Sequence, residues 1–160
     1  MDALREAMYE LIETRDVSEI KVVDLIRKAG VSRDGFYKNY YLVTDVLKDD
    51  IKEVLDAIGP YIENNVVSNW EIILTAVYSY RERIPLLIKA GMGMQILEQM
   101  NAGIESKDER AQLRIIAWNG IIFNCILHWN NEGYKTPIKE LAMRMTGITQ
   151  VLQNEEIAAT

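Results

Sequence analysis

The fold of this chain is decided by residues 22–47, which read VVDLIRKAGVSRDGFYKNYYLVTDVL. Two short amphipathic segments lie on either side of the tetrapeptide AGVS, and a longer amphipathic segment follows them. Gly30 offers the left-handed backbone that ends one helix, and the Ser32 hydroxyl offers a cap for the next helix. The pattern therefore predicts a helix-turn-helix, whose second helix can enter a DNA major groove.

The helices around this turn follow from the spacing of the apolar residues. Residues 4–12 carry an apolar face with the i, i+3, i+4, i+7 spacing of a first helix. A second helix is predicted from Val22 to Ala29, and a third from Arg33 to Tyr40. Phe36 and Tyr40 are four residues apart, so both should face inward and leave the polar residues of the third helix outside.

The rest of the chain also carries helical patterns, so the predicted fold is all-α. A fourth helix is expected from Thr44 to about Ile58, where Gly59-Pro60 should end it. Serines at 68 and 106 begin capping-box patterns that open two further helices. The other predicted helices run from Ser68 to just before Pro85, from Pro85 to Ala90, from Met94 to Met100, from Asp108 to Asn131, and over residues 137–152 after Thr136-Pro137.

The helix predicted over Asp108 to Asn131 is apolar on nearly all sides, and such a helix must be covered on nearly all sides. A chain of 160 residues offers too little surface to cover it, so a partner subunit is the simplest explanation. We place a domain boundary near Leu47. Residues 1–47 form an N-terminal three-helix helix-turn-helix head, and residues 48–160 form a C-terminal helical domain.

Charge is unevenly distributed along the chain. The formal net charge of −6 argues against non-specific binding to polyanions. The segment from Lys21 to Lys38 differs, because it holds five basic residues against two acidic ones. Local charge is what matters for DNA binding, so this segment stays compatible with it. The acidic pairs Asp49-Asp50 and Glu155-Glu156 are expected to be solvated.

Three sequence features predict a cytoplasmic protein without membrane association. Cys125 is the only cysteine, so no intrachain disulfide can form, which fits a reducing compartment. Met1-Asp2 opens the chain without the basic and apolar parts of a signal peptide. The most apolar segment, residues 113–129, is too short and too polar to span a membrane, which needs about 20 apolar residues.

The sequence contains no arrangement typical of catalysis or metal binding. Gly91-Met92-Gly93 is too short for a phosphate-binding loop and follows a helix rather than a strand. His128, the only histidine, is expected to be a hydrogen-bonded core residue, because no Cys/His cluster accompanies it. Cys125 is expected to be buried and inert. We therefore expect no metal, no cofactor and no enzyme activity.

The N-terminal pattern resembles the DNA-binding domain of the TetR family of transcriptional regulators. Asp24-Leu25-Ile26 precedes AGVS, Phe36-Tyr37 and Tyr40 follow it, and Asp45-Val46-Leu47 opens the next helix, so the resemblance covers roughly residues 4–56. It implies that Tyr37 and Lys38 touch phosphates and that Arg33 and Asn39 reach base edges or backbone. The full implied DNA-binding surface consists of Ser32, Arg33, Asp34, Gly35, Tyr37, Lys38 and Asn39.

The C-terminal part resembles the family in outline, through a long apolar helix ending in HWNNEG and a helix begun by Thr136-Pro137. The resemblance implies a ligand-binding and dimerisation domain, with a homodimer formed through the helices near residues 108–131 and 137–152. The implied function is a ligand-responsive repressor that binds a double-stranded DNA operator. Candidate side chains for a small apolar ligand, which could equally be ordinary core, are Tyr78, Met92, Met94, Trp118 and Phe123.

Departures from the family pattern leave a second hypothesis open. Lys21 stands where family members usually carry a helix-capping threonine, and Leu42-Val43 stands where they usually carry Ser-Lys. Because phosphate contacts supply much of the affinity for DNA, the chain could instead be a TetR-like protein that acts through protein–protein interaction or as a ligand sensor. A third hypothesis, a helical enzyme or carrier, rests only on the predicted pocket.

Overall fold

A computed structural model describes residues 2–65, 69–102, 104 and 108–158 of the chain. All regular secondary structure within these ranges is helical, which confirms the predicted all-α class. A short 3-10 turn at Val17–Glu19 accompanies the α-helices. The α-helices are α1 (Asp2–Thr14), α2 (Val22–Ala29), α3 (Arg33–Tyr37), α4 (Asp45–Asn65), α5 (Trp70–Tyr78), α6 (Ile84–Lys89), α7 (Gly93–Ala102), α8 (Glu109–Asn131) and α9 (Ile138–Ala158).

The chain divides into two compact units. The first unit joins Met1–Leu55 to Glu82–Gly103, and the second joins Asp56–Arg81 to Ile104–Thr160. The unit that holds α2 and α3 therefore also contains α6 and α7. The predicted division of function between residues 1–47 and 48–160 stays a prediction, because compactness alone defines neither a DNA-binding nor a ligand-binding domain.

The core of the first unit is built on the apolar faces predicted for its helices. The predicted face of α1 is fully inside, with Met8 and Ile12 at most 1% exposed. Leu25 from α2, Phe36 from α3 and Leu47 from α4 are completely buried against it. This packing fixes where α3 lies and which of its side chains face outward.

Asp50 on α4 is completely buried in the first unit, so the prediction that Asp49-Asp50 is a solvated pair was wrong for this residue. Its carboxylate accepts a hydrogen bond from the Tyr9 hydroxyl and pairs with Arg83 and with Arg5, whose Nε lies 3.1 Å from Oδ1. Glu53 contacts the same two arginines. Partners far along the chain offset the cost of burying this charge, and no local pattern reveals them.

The predicted end of α4 at Gly59-Pro60 was also wrong, because the helix continues through Pro60 to Asn65. Gly59 does not adopt the positive φ that a terminating glycine needs, unlike Gly30, Gly91 and Gly133. A proline inside a helix removes one backbone hydrogen-bond donor, and its ring crowds one backbone carbonyl of the preceding turn. Both energetic costs are confined to that turn. The turns on either side of it retain their own hydrogen bonds.

The beginnings of α5, α8 and α9 differ slightly from the predicted ones. Asn69 rather than Ser68 caps α5, accepting a hydrogen bond from Ile72 N at 3.4 Å. Asp108 caps α8 through Arg110 N at 3.1 Å. Ser68 and Ser106, the predicted caps, lie outside the described residues. The last helix begins at Ile138 and extends beyond residue 152 to Ala158.

The second unit packs α5 against α9 and gathers aromatic rings near the end of α8. Trp70 donates from Nε1 to Thr149 Oγ1 at 3.2 Å, and both side chains are buried. Trp129 lies 5.7 Å from Tyr78 and 5.0 Å from Tyr134 between ring centroids. Among the residues described, no helix is long and apolar enough to cross a bilayer.

Candidate nucleic-acid interface

The turn between α2 and α3 has the two predicted caps. Gly30 adopts the left-handed conformation with φ 65° and ψ 26°, and Val31 N donates to Ile26 O at 3.0 Å. Ser32 caps α3, because its Oγ accepts a hydrogen bond from Gly35 N at 3.0 Å. Both caps arise from residues within a few positions of each other, which explains why the sequence predicted them correctly.

The regular part of α3 is shorter than predicted, since it ends at Tyr37 rather than at Tyr40. The chain continues as a turn in which the Phe36 carbonyl accepts from both Asn39 N and Tyr40 N at 3.0 Å. Shared acceptors of this kind are common at helix ends. Phe36 and Tyr40 both point into the core as predicted, at 0% and 4% exposure.

The side chains implied as DNA-facing lie together on the outer side of this short helix and its turn. Phe36 anchors the inner side, so the helix has a distinct buried face and a distinct solvent face. Gly35 is partly buried, and the other six are exposed, namely Ser32, Arg33, Asp34, Tyr37, Lys38 and Asn39.

Arg33 is held over an aromatic ring on the exposed face. Its guanidinium carbon lies 5.6 Å from the centroid of the Tyr37 ring. Tyr37 in turn packs edge-to-face on the buried Phe36, with 5.3 Å between centroids. An exposed cation–π contact contributes about 0.5–1 kcal/mol, enough to favour one orientation of the arginine. The core thus positions a cationic group at the surface through an edge-to-face ring contact and a cation–π contact.

Gly35 has little space for a side chain in its own turn. A Cβ at this position would lie 3.1 Å from Ser32 Oγ and 3.2 Å from Val31 Cγ1. Glycine within a helix costs about 1 kcal/mol relative to alanine, and the tight approach of the capping serine explains why it stands here. The glycine at this position is therefore explained by the geometry of the turn.

Several cations near α3 have no acidic partner among the described residues. Lys28 pairs with Glu10, and Arg15 approaches Asp24 at 3.6 Å. Arg27, Arg33 and Lys38 form no ion pair with any described carboxylate, and all three are exposed. The local surplus of positive charge indicated by the sequence is thus largely presented to solvent.

The loop before α4 is less suited to phosphate binding. The Asp45 carboxylate accepts hydrogen bonds from Tyr41 N at 3.0 Å, Leu42 N at 2.8 Å and Lys48 Nζ at 2.9 Å. These contacts, with that of Lys48 the largest, hold the pKa of Asp45 below its usual range. The Asp45 carboxylate therefore binds two backbone amides and the Lys48 ammonium, which could otherwise bind a phosphate.

An exposed apolar surface borders the cationic one, and sequence analysis noted only part of it. Tyr41 is 84% exposed and Leu42 is 59% exposed, and Val23 and Tyr37 are also well exposed. Leu42-Val43 was the one signal of this surface, as a departure from the family pattern. Such a patch on a surface can contact either a nucleic acid or another protein.

The residues predicted to contact a ligand are divided between the two units. Met92 is buried in the core of the first unit, and Met94, in the same unit, is 66% exposed. Tyr78, Trp118 and Phe123 belong to the second unit, where Tyr78 stacks on Trp129. A groove of about 620 Å³ exists in the second unit, and its lining comes from other residues, on α4, on α5 and directly before and after α5.

The two residues that could have carried metal or redox chemistry have different surroundings. Cys125 is buried as predicted, and burial raises the pKa of its thiol to about 11. The prediction of a core position for His128 was wrong, because its side chain is 69% exposed and lies 3.5 Å from Glu132. In the described ranges, no three His, Cys, Asp or Glu residues come together as a metal site.

Comparisons of the chain with family models, with curated proteins and with solved structures find no match. The resemblance to TetR regulators therefore rests on the sequence patterns of the chain alone.

Proposed function

We propose that this protein is a DNA-binding transcriptional regulator of TetR type that acts as a homodimeric, ligand-responsive repressor. The observation that carries the proposal is the capped turn that leads into α3. It buries Phe36 and Tyr40 and leaves Arg33, Tyr37 and Lys38 on one exposed surface. An arginine and a lysine on such a helix can reach a guanine edge and a phosphate in the major groove.

Exposed apolar side chains on α8 and α9 support the dimeric part of the proposal. On α8, Leu113, Ile115 and Ile116 are 60%, 41% and 44% exposed, and on α9 Met143 is 70% exposed. A second copy of the chain would cover these side chains. Two helix-turn-helix domains in a dimer bind half-sites ~34 Å apart, so a ligand that changes their spacing would release DNA.

DNA binding is tested with the full-length protein and its own upstream DNA at low salt. Replacing Arg33 and Lys38 together by alanine should weaken specific binding by about tenfold or more, because a base contact and a phosphate contact are lost. The slope of log affinity against log salt concentration should become shallower by about one, because one phosphate contact is lost. Fluorescence anisotropy with labelled duplexes measures both quantities.

The matched control replaces Lys135 and Lys139 by alanine, since these exposed lysines of the second unit carry the same total charge. This control should retain nearly all DNA affinity. A wild-type protein that shows no specific binding at low salt, or equal losses in the two double variants, would refute the proposal.

A second candidate function is favoured by the loop before α4. Asp45 occupies the Tyr41 and Leu42 amides and Lys48, and the Tyr41 and Leu42 side chains are exposed. Such a surface suits a protein partner better than a phosphate backbone. A chain of TetR type that no longer binds DNA would act through this surface or as a ligand sensor. Strong, salt-dependent binding that disappears in the Arg33/Lys38 double variant excludes this alternative.

A further inference from the structure

The groove in the second unit lies between residues of the second half of α4 and residues of α5. Its volume of about 620 Å³ falls in the range of small-molecule sites. Ala57 on α4 and Ala76 on α5 leave space between the helices, and Tyr61, Ile72 and Tyr80 supply the larger lining surfaces. Tyr61 is 48% exposed and Ile72 is 37% exposed, so a ligand entering the groove would cover apolar surface.

Glu71, Thr75 and Ser79 in this groove favour positive charge in a ligand. Glu71 is the one charged residue among the described residues of its lining, and it forms no ion pair with any described cation. Thr75 donates its hydroxyl proton to Glu71 O at 2.7 Å, and Ser79 donates to Thr75 O at 3.2 Å. Because each hydroxyl has a single proton, these two present only lone pairs to a ligand.

We propose that this groove binds an amphipathic organic cation with an aromatic body. The Glu71 carboxylate would face the positive charge, and the Tyr61 and Tyr80 rings would contact the cation and its apolar surface. An organic anion would meet a carboxylate with no cation among the described lining residues to compensate for it. This inference deepens the ligand-responsive part of the proposed function, and it predicts a different set of residues from Tyr78, Met92, Met94, Trp118 and Phe123.

A purely structural role also exists for Glu71. It lies in the first turn of α5, where a carboxylate interacts favourably with the helix dipole. Glu109 occupies the first turn of α8 in the same way and lies outside the groove lining. Glu109→Gln therefore removes an equivalent charge and an equivalent dipole contact without touching the groove.

Two probes of nearly equal shape and opposite charge test the proposal. Tetraphenylphosphonium and tetraphenylborate are titrated separately into the full-length protein without DNA, and binding is followed by calorimetry. We expect saturable binding of the cation with an affinity about tenfold or more above that of the anion. Because DNA is absent, a failure of DNA binding leaves this result unaffected, and the two proposals can fail separately.

Variants locate the binding. Glu71→Gln should reduce the preference for the cation at least several-fold, whereas Glu109→Gln should leave it unchanged. Ala76→Leu should fill the groove and weaken binding of the cation with the helical circular dichroism preserved. Equal affinity for the two ions, or equal effects of Glu71→Gln and Glu109→Gln, would overturn the proposal. Since Glu71 is exposed, its substitution leaves the fold intact. The test therefore does not depend on whether Ala76→Leu folds.

Discussion

The first unit surrounds a buried carboxylate with cations, whereas the second unit buries two polar atoms that have no hydrogen-bond partner among the described residues. In the first unit, Asp50 contacts Arg5, Arg83 and Tyr9. In the second, Tyr134 Oη and Asn130 Oδ1 are inaccessible to water and accept or donate nothing. We therefore expect that removing a buried polar group lowers the unfolding free energy of the first unit. In the second unit, the same change should leave the unfolding free energy unchanged or slightly raised.

The charge cluster of the first unit joins three separate elements. Arg5 belongs to α1, Asp50 to α4, and Arg83 directly precedes α6. Burial, followed by repulsion from Arg5, lowers the pKa of Arg83. The two guanidiniums therefore lie close enough to repel each other, and the Asp50 charge between them makes the arrangement stable.

The largest effect is expected from Asp50→Ala, which leaves two partly buried guanidinium groups without their central anion. Breaking a buried ion pair in this way costs about 3–5 kcal/mol of unfolding free energy. Urea unfolding followed by circular dichroism measures the loss. All three tryptophans belong to the second unit, so tryptophan fluorescence shows separately whether that unit is affected.

Asp49→Ala is the matched control, because Asp49 is the adjacent residue and is exposed. It accepts a hydrogen bond from Tyr40, so a cost of about 1 kcal/mol is expected. Similar losses in Asp50→Ala and Asp49→Ala would contradict the importance of the buried cluster.

An intermediate effect is expected from removing one tyrosine hydroxyl in each unit. Tyr9→Phe deletes a donor to a buried carboxylate and should cost about 1.5–3 kcal/mol. Tyr134→Phe deletes a buried hydroxyl without a partner and should leave the unfolding free energy unchanged or slightly raised. The same urea experiment measures both variants. Equal costs for the two substitutions would abolish the contrast between the units.

A further effect concerns alkaline pH. Burial raises the pKa of Tyr134 to about 12 from its ordinary value of 10.0, so the folded state favours the neutral phenol. The contribution of this neutral phenol to the unfolding free energy is complete below pH 10 and is lost as the pH rises through 12. Unfolding followed by tryptophan fluorescence should therefore show declining stability of the second unit over this interval.

Tyr134→Phe should make that decline shallower. Cys125, whose pKa is raised to about 11, supplies part of the decline in both proteins, because its thiol is also kept neutral by burial. An unchanged alkaline slope in Tyr134→Phe would mean that the Tyr134 hydroxyl does not titrate in this interval.

Local patterns of the sequence predicted local features well. Gly30 and Ser32 cap their helices as expected, because the atoms involved lie within five residues of one another. The inward positions of Phe36 and Tyr40 also follow from helical spacing. These features define the candidate interface, and the sequence was sufficient to locate them.

Features that depend on distant partners were not predictable in this way. Asp50 resembles a solvated acid in sequence, since its partners Arg5 and Arg83 are far away along the chain. The continuation of α4 through Pro60 and the exposure of His128 likewise depend on tertiary surroundings. The contacts of Asp45 with the Tyr41 and Leu42 amides are short in range, but the sequence does not indicate which nearby donors its carboxylate reaches.

The tight approach at Gly35 has a consequence for the evolution of this protein. Under the proposed function, a descendant that had ceased to bind DNA would still have little space for a side chain at this position. Arg33 and Lys38 contribute little to folding and would drift once their ligand was lost. Retention of these two side chains among descendants, rather than of the AGVS turn, is therefore the mark of continued selection for DNA binding.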